Sequence, residues 1–433
     1  MKTLSVLLFA LVMLSGCREP FAGGRNVVLI SLDNLRSDHV TCYGYGRELT
    51  PVLDSLASEG IMYSRFQAQA PRTLPSHASV FTGLSVAAHV TGKFEDCTFD
   101  PDLPSIQCVL KRNGYTTAAF GNVIYFTESY KFDAHFDHLQ CNIKGYYAGA
   151  QTFSDARGWL EQQDGGPFFL FVHIFEIHMP FDPPEPYDMM FTENGSEGIV
   201  EWEVDQDGTL LNPEDNEHLL NLYDGEIAYT DMILGEFLSY LRSSGLSDST
   251  LVIVFSDHGE EFLEHGGWFH GHSLYQELLG VPLFISGPGI PRGEVDSLSS
   301  AHFDIFPTIL EYLGIPVPAD VEGVSLLDDS SRAGRSIPSS GLDTQWMGWG
   351  GTNPDASYLV SILRGQDKLI MDMSTGYTEM YDLYTDPGEY EPIPADSDLV
   401  MDAELYWTTV PQGDPSPVDT SLVNDALRDL GYM

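Results

Sequence analysis

The chain carries its apolar residues in two textures. Asn26–Leu32 (NVVLISL) is a continuous run rich in β-branched residues, as expected of a strand buried on both faces of a parallel sheet. Phe168–Ile174 (FFLFVHI) and Leu251–Phe255 (LVIVF) share that character, and Thr116–Phe120 and Val281–Ile285 are shorter versions of it. Helical patterns lie between them. Thr50–Glu59 opens on Thr-Pro, which predicts an N-cap followed by a first-turn proline. Leu219–Leu241 repeats its apolar positions at helical spacing. Strands alternating with helices predict an α/β fold with helices on both faces of the sheet. Beyond about Ile315 the texture changes. Ser357–Leu363, Lys368–Met373 and Glu379–Leu383 are short strand-like runs split by turn residues, which predicts a small antiparallel sheet. Residues Pro392–Met433 are acidic and dotted with proline, and a loosely ordered tail is expected there.

The beginning of the chain reads as an export signal. Lys2 precedes an apolar run from Leu4 to Met13, too short to span a bilayer. Leu14-Ser15-Gly16-Cys17 resembles the lipobox of bacterial lipoproteins, which implies a signal peptide over 1–16, a lipid on Cys17 and a tether over 17–25. An ordinary signal peptide with an incidental cysteine is the plainer alternative. The expectation is a bacterial lipoprotein, exported to the periplasm or cell surface and held at the membrane by its lipid.

Charge narrows the range of partners. The 433 residues hold 20 Lys and Arg against 64 Asp and Glu, a formal charge of −44. Such a surface repels nucleic acid and anionic lipid, and its self-repulsion suits a salty habitat. An anionic substrate must then find local positive charge, and a metal ion is the obvious source. Besides Cys17 there are Cys42, Cys97, Cys108 and Cys141. They permit two disulfides in three pairings, with Cys97 and Cys108 nearest in sequence, and four free thiols are equally compatible.

Each of the three strongest strands runs into a polar cluster: Asp33-Asn34, Glu176-Ile177-His178, and Asp257-His258-Gly259-Glu260. Ligands of open α/β sheets bind beyond the carboxyl ends of the strands. Carboxylates with imidazole suit a divalent metal. A single aspartate at such a place is more often a helix cap, but three clusters at one edge favour a metal site.

Those clusters sit inside longer segments that resemble one family. NVVLISLDNLRSDHVTCYGY, TPVLDSLASEG, PRTLPSHASVFTGL, FVHIFEIHMPFDPP, VFSDHGEEFLEHG, AHFDIFPTILEYLGI and EMYDLYTDPGE follow the order of sulfatase-family signatures, within the alkaline phosphatase superfamily. The resemblance runs from about Asn26 to Glu389. It implies an alkaline-phosphatase-like, mainly parallel central sheet sandwiched by helices. The catalytic domain would cover 26–315, and a C-terminal subdomain with a small antiparallel sheet would cover 316–391, before an acidic tail over 392–433.

Carried over residue by residue, the resemblance implies one divalent metal held by Asp33, Asp257 and His258, with the nucleophile also touching it. Asn34 stands where relatives often have a second aspartate. Calcium is usual in sulfatases, whereas the imidazole of His258 favours zinc or manganese. An Asp-His pair at 257–258 looks more like the phosphatase and phosphonate-ester branches. Sulfatases carry a Cys or Ser followed by x-Pro-x-Arg, which is oxidised to formylglycine. Here the segment reads Thr73-Leu74-Pro75-Ser76-His77, so an unmodified Thr73 is expected to attack directly. His178 aligns with the family's active-site histidine. His77 is expected to bind the anion in place of the missing arginine. His265, His270 and His272 crowd a glycine-rich loop, with His270 expected to be catalytic and His272 to bind substrate. Arg36 and Asp38 are expected to pair with each other or serve the site.

The implied activity is hydrolysis of sulfuric, phosphoric or phosphonic esters of a small molecule or glycan. The runners-up are a phosphoethanolamine-type head-group transferase and a non-catalytic binding protein on a decayed scaffold. Substrate would be read by Val90–Asp102, Pro180–Glu217 and Gln345–Asp355. Trp202, Trp346 and Trp349 are available there for ring stacking or for packing.

Overall fold

The computed structural model of the chain describes residues 26–91, 98–142, 148–191, 214–343 and 357–409. The export signal, Cys17 and the tether lie outside the described residues, as do Cys97 with its proposed bridge to Cys108, Trp202, Trp346, Trp349 and the end of the tail after 409. Cys42 and Cys141 are free thiols.

The main sheet has eight strands: β1 Asn26–Leu32, β2 Ile61–Tyr63, β3 Thr116–Gly121, β4 His138–Cys141, β5 Phe168–Ile174, β6 Thr250–Ser256, β7 Leu283–Ser286 and β8 Glu294–Asp296. Their order is β8-β2-β7-β6-β1-β5-β3-β4, and β7 alone runs against its neighbours. The three strands with continuous apolar runs lie side by side at the centre, where both faces are covered. Alternate side chains feed two cores. Val28, Ile30 and Leu32 pack with Leu53 and Leu56 of helix Pro51–Glu59 and with Leu234 and Leu238 of helix Glu214–Ser243. Val27 and Leu29 pack on the other face with Phe81 and with Ile309 of helix Ile305–Leu313. The α/β architecture expected from the alternation is the one observed.

The register decides where the chemistry goes. Leu32 of β1 is paired with Ile174 of β5 on one side and with Ser256 of β6 on the other. The three strands therefore end level, and the residues that follow them emerge together at one edge of the sheet.

A second sheet, β9 Ser336–Asp343, β10 Ser357–Arg364, β11 Asp367–Asp372 and β12 Thr378–Asp382, is antiparallel in sequence order. Strand β9 is the one the pattern missed: SIPSSGLD contains Pro338 and Gly341, tolerated because the strand lies at the edge. Part of the acidic tail is ordered, contrary to expectation. Ser397–Thr409 is a helix whose Leu399 and Ala403, one turn apart, pack on Tyr358, Val360 and Met380. Its apolar residues are spread around the helix, with Met401 and Leu405 exposed, and left no clear helical stripe in the sequence.

One cap also differs. Thr50 precedes helix Pro51–Glu59, but its side chain does not cap it. Its hydroxyl instead accepts from the backbone N–H of Thr41 at 3.0 Å. The capping oxygens come from Asp231, far along the chain, which accepts from Val52 N at 2.9 Å and Leu53 N at 3.0 Å.

Candidate active site

Short turns after the level strand ends aim the polar residues inward. Asn34 adopts left-handed backbone geometry (φ 58°), and its carbonyl accepts from Tyr223 Oη at 2.7 Å. Asp257 Oδ1 accepts from the N–H groups of His258 (2.9 Å) and Asn34 (3.3 Å), tying the first and third turns together. Gly259 is required by close approach, since a Cβ there would lie 1.9 Å from the carbonyl oxygen of Glu277.

Asp33, Asp257 and His258 are fully buried, and one ligand atom from each lies within 4.8 Å of the others. His258 Nε2 is 3.7 Å from Asp33 Oδ1 and 3.6 Å from Asp257 Oδ2. Its Nδ1 donates to Gly259 O at 3.0 Å, so the Nε2 lone pair faces the carboxylates. Asp33 Oδ1, Asp257 Oδ2 and Asn34 Oδ1 are buried with no hydrogen-bond donor among the described residues. Buried carboxylate oxygens without donors or counter-charge cost several kcal/mol each. Burial first of all pushes the carboxyls of Asp33 and Asp257 above the usual range, and the Asp33 charge adds to the effect on Asp257. A divalent cation is the group that fits: it would take the two carboxylate oxygens and the imidazole nitrogen that lie within 4.8 Å of one another. Asn34 Oδ1 is a neutral oxygen in the first turn that has no donor of its own. His173 Nε2 meets the other oxygen of Asp33 at 3.1 Å, the kind of outer contact that orients a metal ligand. Burial holds this imidazole down to about 4, so it is neutral.

Thr73 is the first residue of helix Thr73–Thr82, which is buried along its whole length. Its Oγ1 lies 3.2 Å from His258 Nε2, and the helix N-terminus adds partial positive charge beside it. Ser76 is excluded as a nucleophile by its place: its hydroxyl donates to Ala70 O at 2.8 Å beneath the helix.

The histidines separate into two groups. His178 Nδ1 donates to Met179 O at 2.7 Å, which leaves Nε2 available, and its ring stacks on Phe175. The ring centroid of His270 is 5.1 Å from that of His178 and 4.4 Å from that of His258, so these three imidazoles share one wall of the site. Burial keeps both His178 and His270 below the usual histidine range. His77 corrects the expectation. It is fully buried, Nδ1 donates to Thr73 O at 2.7 Å, and Nε2 meets Ser31 Oγ at 2.9 Å. With both nitrogens used and Phe126, Phe171 and Phe255 around it, His77 supports helix Thr73–Thr82 from behind and has nothing left for an anion. His272 differs: Nε2 is held to its own loop by Glu261 Oε2 at 2.7 Å, and its buried Nδ1 has no partner among the described residues. His265 is bound to Glu277 and Glu389 O and stacked on Tyr275, so it belongs to the seam with the second sheet. Arg36 and Asp38 form the expected pair, at 2.7 and 2.9 Å, and Arg36 also reaches Glu264.

Sequence reasoning assigned no role to His173, Glu260 or Arg72. A histidine inside the apolar run FFLFVHI was the available sign for His173. Arg72 lies against the glycine-rich loop: a Cβ on Gly271 would come within 2.7 Å of its Nε. Glu260 is fully buried and hydrogen-bonds both Asn34 and His270, and only the fold shows that proximity.

Comparison with known proteins agrees with this geometry. Residues 25–315 match the sulfatase family model, and residues 264–404 match that of the C-terminal part of N-sulphoglucosamine sulphohydrolase. An arylsulfatase of Clostridium perfringens is 26% identical over 374 residues, covering 70% of this chain and 78% of that protein. Among solved structures, an enzyme in complex with its substrate D-glucosamine-2-N,6-O-disulfate superposes with TM-score 0.72 at 21% identity, covering 90% of this chain and 99% of the other. The phosphonate monoester hydrolase of Agrobacterium radiobacter gives TM-score 0.70 at 23% identity, covering 94% and 97%. With the level strand ends, the buried acid–imidazole cluster and a family match across most of its length, this chain belongs to the sulfatase family of the alkaline phosphatase superfamily and is an ester hydrolase.

Proposed function

We propose that the protein is a metal-dependent hydrolase that uses unmodified Thr73 as its nucleophile and acts on phosphoric or phosphonic as well as sulfuric esters of a small molecule or glycan. The observation that carries this reading is the 3.2 Å approach of Thr73 Oγ1 to His258 Nε2, beside three buried oxygens without donors. Asp33, Asp257, His258 and Asn34 would hold the cation, with His258 favouring zinc or manganese over calcium. Such a cation, when bound, lowers the pKa of a hydroxyl it touches and neutralises charge on the ester. Thr73 Oγ1 then gives up its proton and forms a bond to phosphorus or sulfur as the bond to the leaving oxygen breaks. His178 and His270, both neutral with Nε2 unprotonated, are placed to take a proton and return one to the leaving oxygen.

The second half of the cycle sets the preference. A formylglycine hydrate expels sulfate through its second hydroxyl, whereas a threonine ester has none and must be opened by water at phosphorus or sulfur. In-line attack of water on a phosphothreonine is well-used chemistry, which favours phosphorus esters.

Thr73→Ala is expected to lower kcat by about four orders of magnitude or more on aryl phosphate, phosphonate and sulfate alike. Thr73→Ser should keep measurable turnover. Acid quench during turnover should trap the ester on the Thr73 peptide in a mass spectrum. Unchanged turnover by Thr73→Ala, or an adduct on another residue, rejects the assignment. A trapped adduct that only an added alcohol discharges supports the transferase reading.

A further inference from the structure

The turn after β6 carries a second acid that the proposed mechanism does not use. Glu260 is fully buried, two residues past His258, and its two oxygens have different partners. Oε2 accepts from Asn34 Nδ2 at 2.8 Å, and Oε1 meets His270 Nδ1 at 2.9 Å. Its backbone carbonyl accepts from Arg36 at 3.0 Å, so the turn itself is clamped. Both partners are ambivalent groups. A side-chain amide can turn either its oxygen or its NH2 to a given side, and a neutral imidazole can carry its proton on either nitrogen.

We propose that Glu260, as the carboxylate it becomes once a cation balances Asp33 and Asp257, is the positioning residue that sets the polarity of the site, by presenting acceptors only to Asn34 and to His270. A carboxylate on one side of Asn34 forces the NH2 to that side, and the carbonyl oxygen then faces Asp33 and Asp257. The same carboxylate requires the proton of His270 on Nδ1, so Nε2 presents a lone pair on a ring that lies beside His178 and His258. One side chain thereby makes Asn34 a metal ligand and His270 a proton acceptor. The unpartnered state of Asn34 Oδ1, beside Asp33 Oδ1 and Asp257 Oδ2, is what this orientation produces. Without it, Asn34 can present NH2 to a cation, and a sulfatase-type site loses one of its oxygens. The inference deepens the metal-hydrolase reading and rests on it.

The logic can be reversed by mutation. In Glu260→Gln the amide has one acceptor and one donor for two partners that both need an acceptor. Either Asn34 must flip or His270 must move its proton to Nε2. The double variant Asn34→Asp/Glu260→Gln removes the conflict: the Gln NH2 faces the new carboxylate, and its oxygen still accepts from His270. The measurements are Mn2+ and Zn2+ affinity of the metal-stripped full chain by calorimetry, and the His270 tautomer by 15N NMR. Glu260→Gln is expected to bind metal about 10–100-fold more weakly or to show His270 as the Nε2–H tautomer. The double variant is expected to regain wild-type affinity within about tenfold, with His270 back as Nδ1–H. A merely structural Glu260 would not be rescued by Asn34→Asp. Wild-type affinity and tautomer in Glu260→Gln, or a double variant no better than the single one, would overturn the proposal. If neither Gln variant folds, the wild-type tautomer decides, because Nε2–H on His270 contradicts it. Wild-type protein that binds neither metal sinks the metal reading itself, a different outcome from a metal-binding wild type indifferent to Glu260.

Discussion

The molecule buries acids in two places and treats them in opposite ways. At the edge of the main sheet, Asp33, Asp257 and Glu260 are fully buried, and two of their oxygens meet no donor among the described residues. At the seam with the second sheet, Glu389 is equally buried and its Oε1 also lacks hydrogen-bond geometry, but Lys368 Nζ lies 2.8 Å from that oxygen as an opposite charge and Gln276 N donates to Oε2 at 2.5 Å. Its neighbour Glu277 is met by His265 at 2.6 Å. Burial raises the Glu389 carboxyl, and the Lys368 ammonium pulls it back. The seam therefore contains its own cation as a side chain, placed by β11. The strand-end cluster supplies imidazoles that burial keeps neutral, His173 and His77, and so leaves its charge to be balanced from outside the chain. A site that must release and rebind chemistry leaves its charge open, and a seam that only has to hold closes it.

The largest effect should come from challenging that difference with a chelator. Metal-stripped protein is expected to lose turnover and to melt earlier. Metal at about a thousand times its dissociation constant stabilises by about 4 kcal/mol. Asp257→Asn, which removes a ligand charge and the repulsion from Asp33, should make the melting temperature indifferent to chelator and metal alike. A wild type whose melting curve ignores both would place the two regions in the same class. At the seam, Lys368→Met should cost about 3–5 kcal/mol in a denaturant titration by leaving Glu389 buried and unpaired, and metal affinity should not change. Lys368→Met/Glu389→Gln should recover most of that loss, because the Gln oxygen keeps the bond from Gln276. No cost for the single change would mean that the pair is solvated.

The same contrast explains what could be read from the chain. The three central strands were legible to within one residue because burial on both faces demands continuous apolar runs, and the three polar clusters were legible because they interrupt those runs. Asp33, Asp257 and His258 meet as their motifs imply, since level strand ends follow from the parallel register. His77 was misread because its spacing from Thr73, one helical turn, says that it is near Thr73 but not on which side. Ser31 and the rings behind the helix decide that, and they come from β1, β5 and the 3-10 turn at Phe126. Glu260 was visible in the motif, yet its partners come from the first turn and from the histidine loop. Strand β9 and helix Ser397–Thr409 escaped because an edge strand tolerates proline and because the helix spreads its apolar residues over both faces, Met401 and Leu405 exposed.

A third buried carboxylate tests how far the rule extends, with the smallest effect. Asp231 is 2% exposed and, among the described residues, is compensated by the pair of N–H groups it accepts from Val52 and Leu53 and pairs with no lysine or arginine. Burial pushes it up to about 7, and the nearby Asp54 charge adds to this. The sign follows from the raised value. Below about pH 4 the group is neutral in both folded and unfolded chains and its contribution is complete. As pH rises toward 7 the unfolded chain ionises first, so stability falls through this window and levels off once the folded group has ionised. Asp231→Asn keeps one oxygen for the helix N-terminus and cannot ionise. Its stability, measured by urea titration between pH 4 and 8, should therefore decline less steeply than that of the wild type, by an amount within a few kcal/mol. Cys42, which burial and then the Asp54 charge push up to about 12, titrates outside this window and does not interfere. If the two proteins keep a constant stability difference across the window, two backbone N–H groups compensate a buried carboxylate as well as a cation does, and the open charge beside Thr73 loses its argument for a metal.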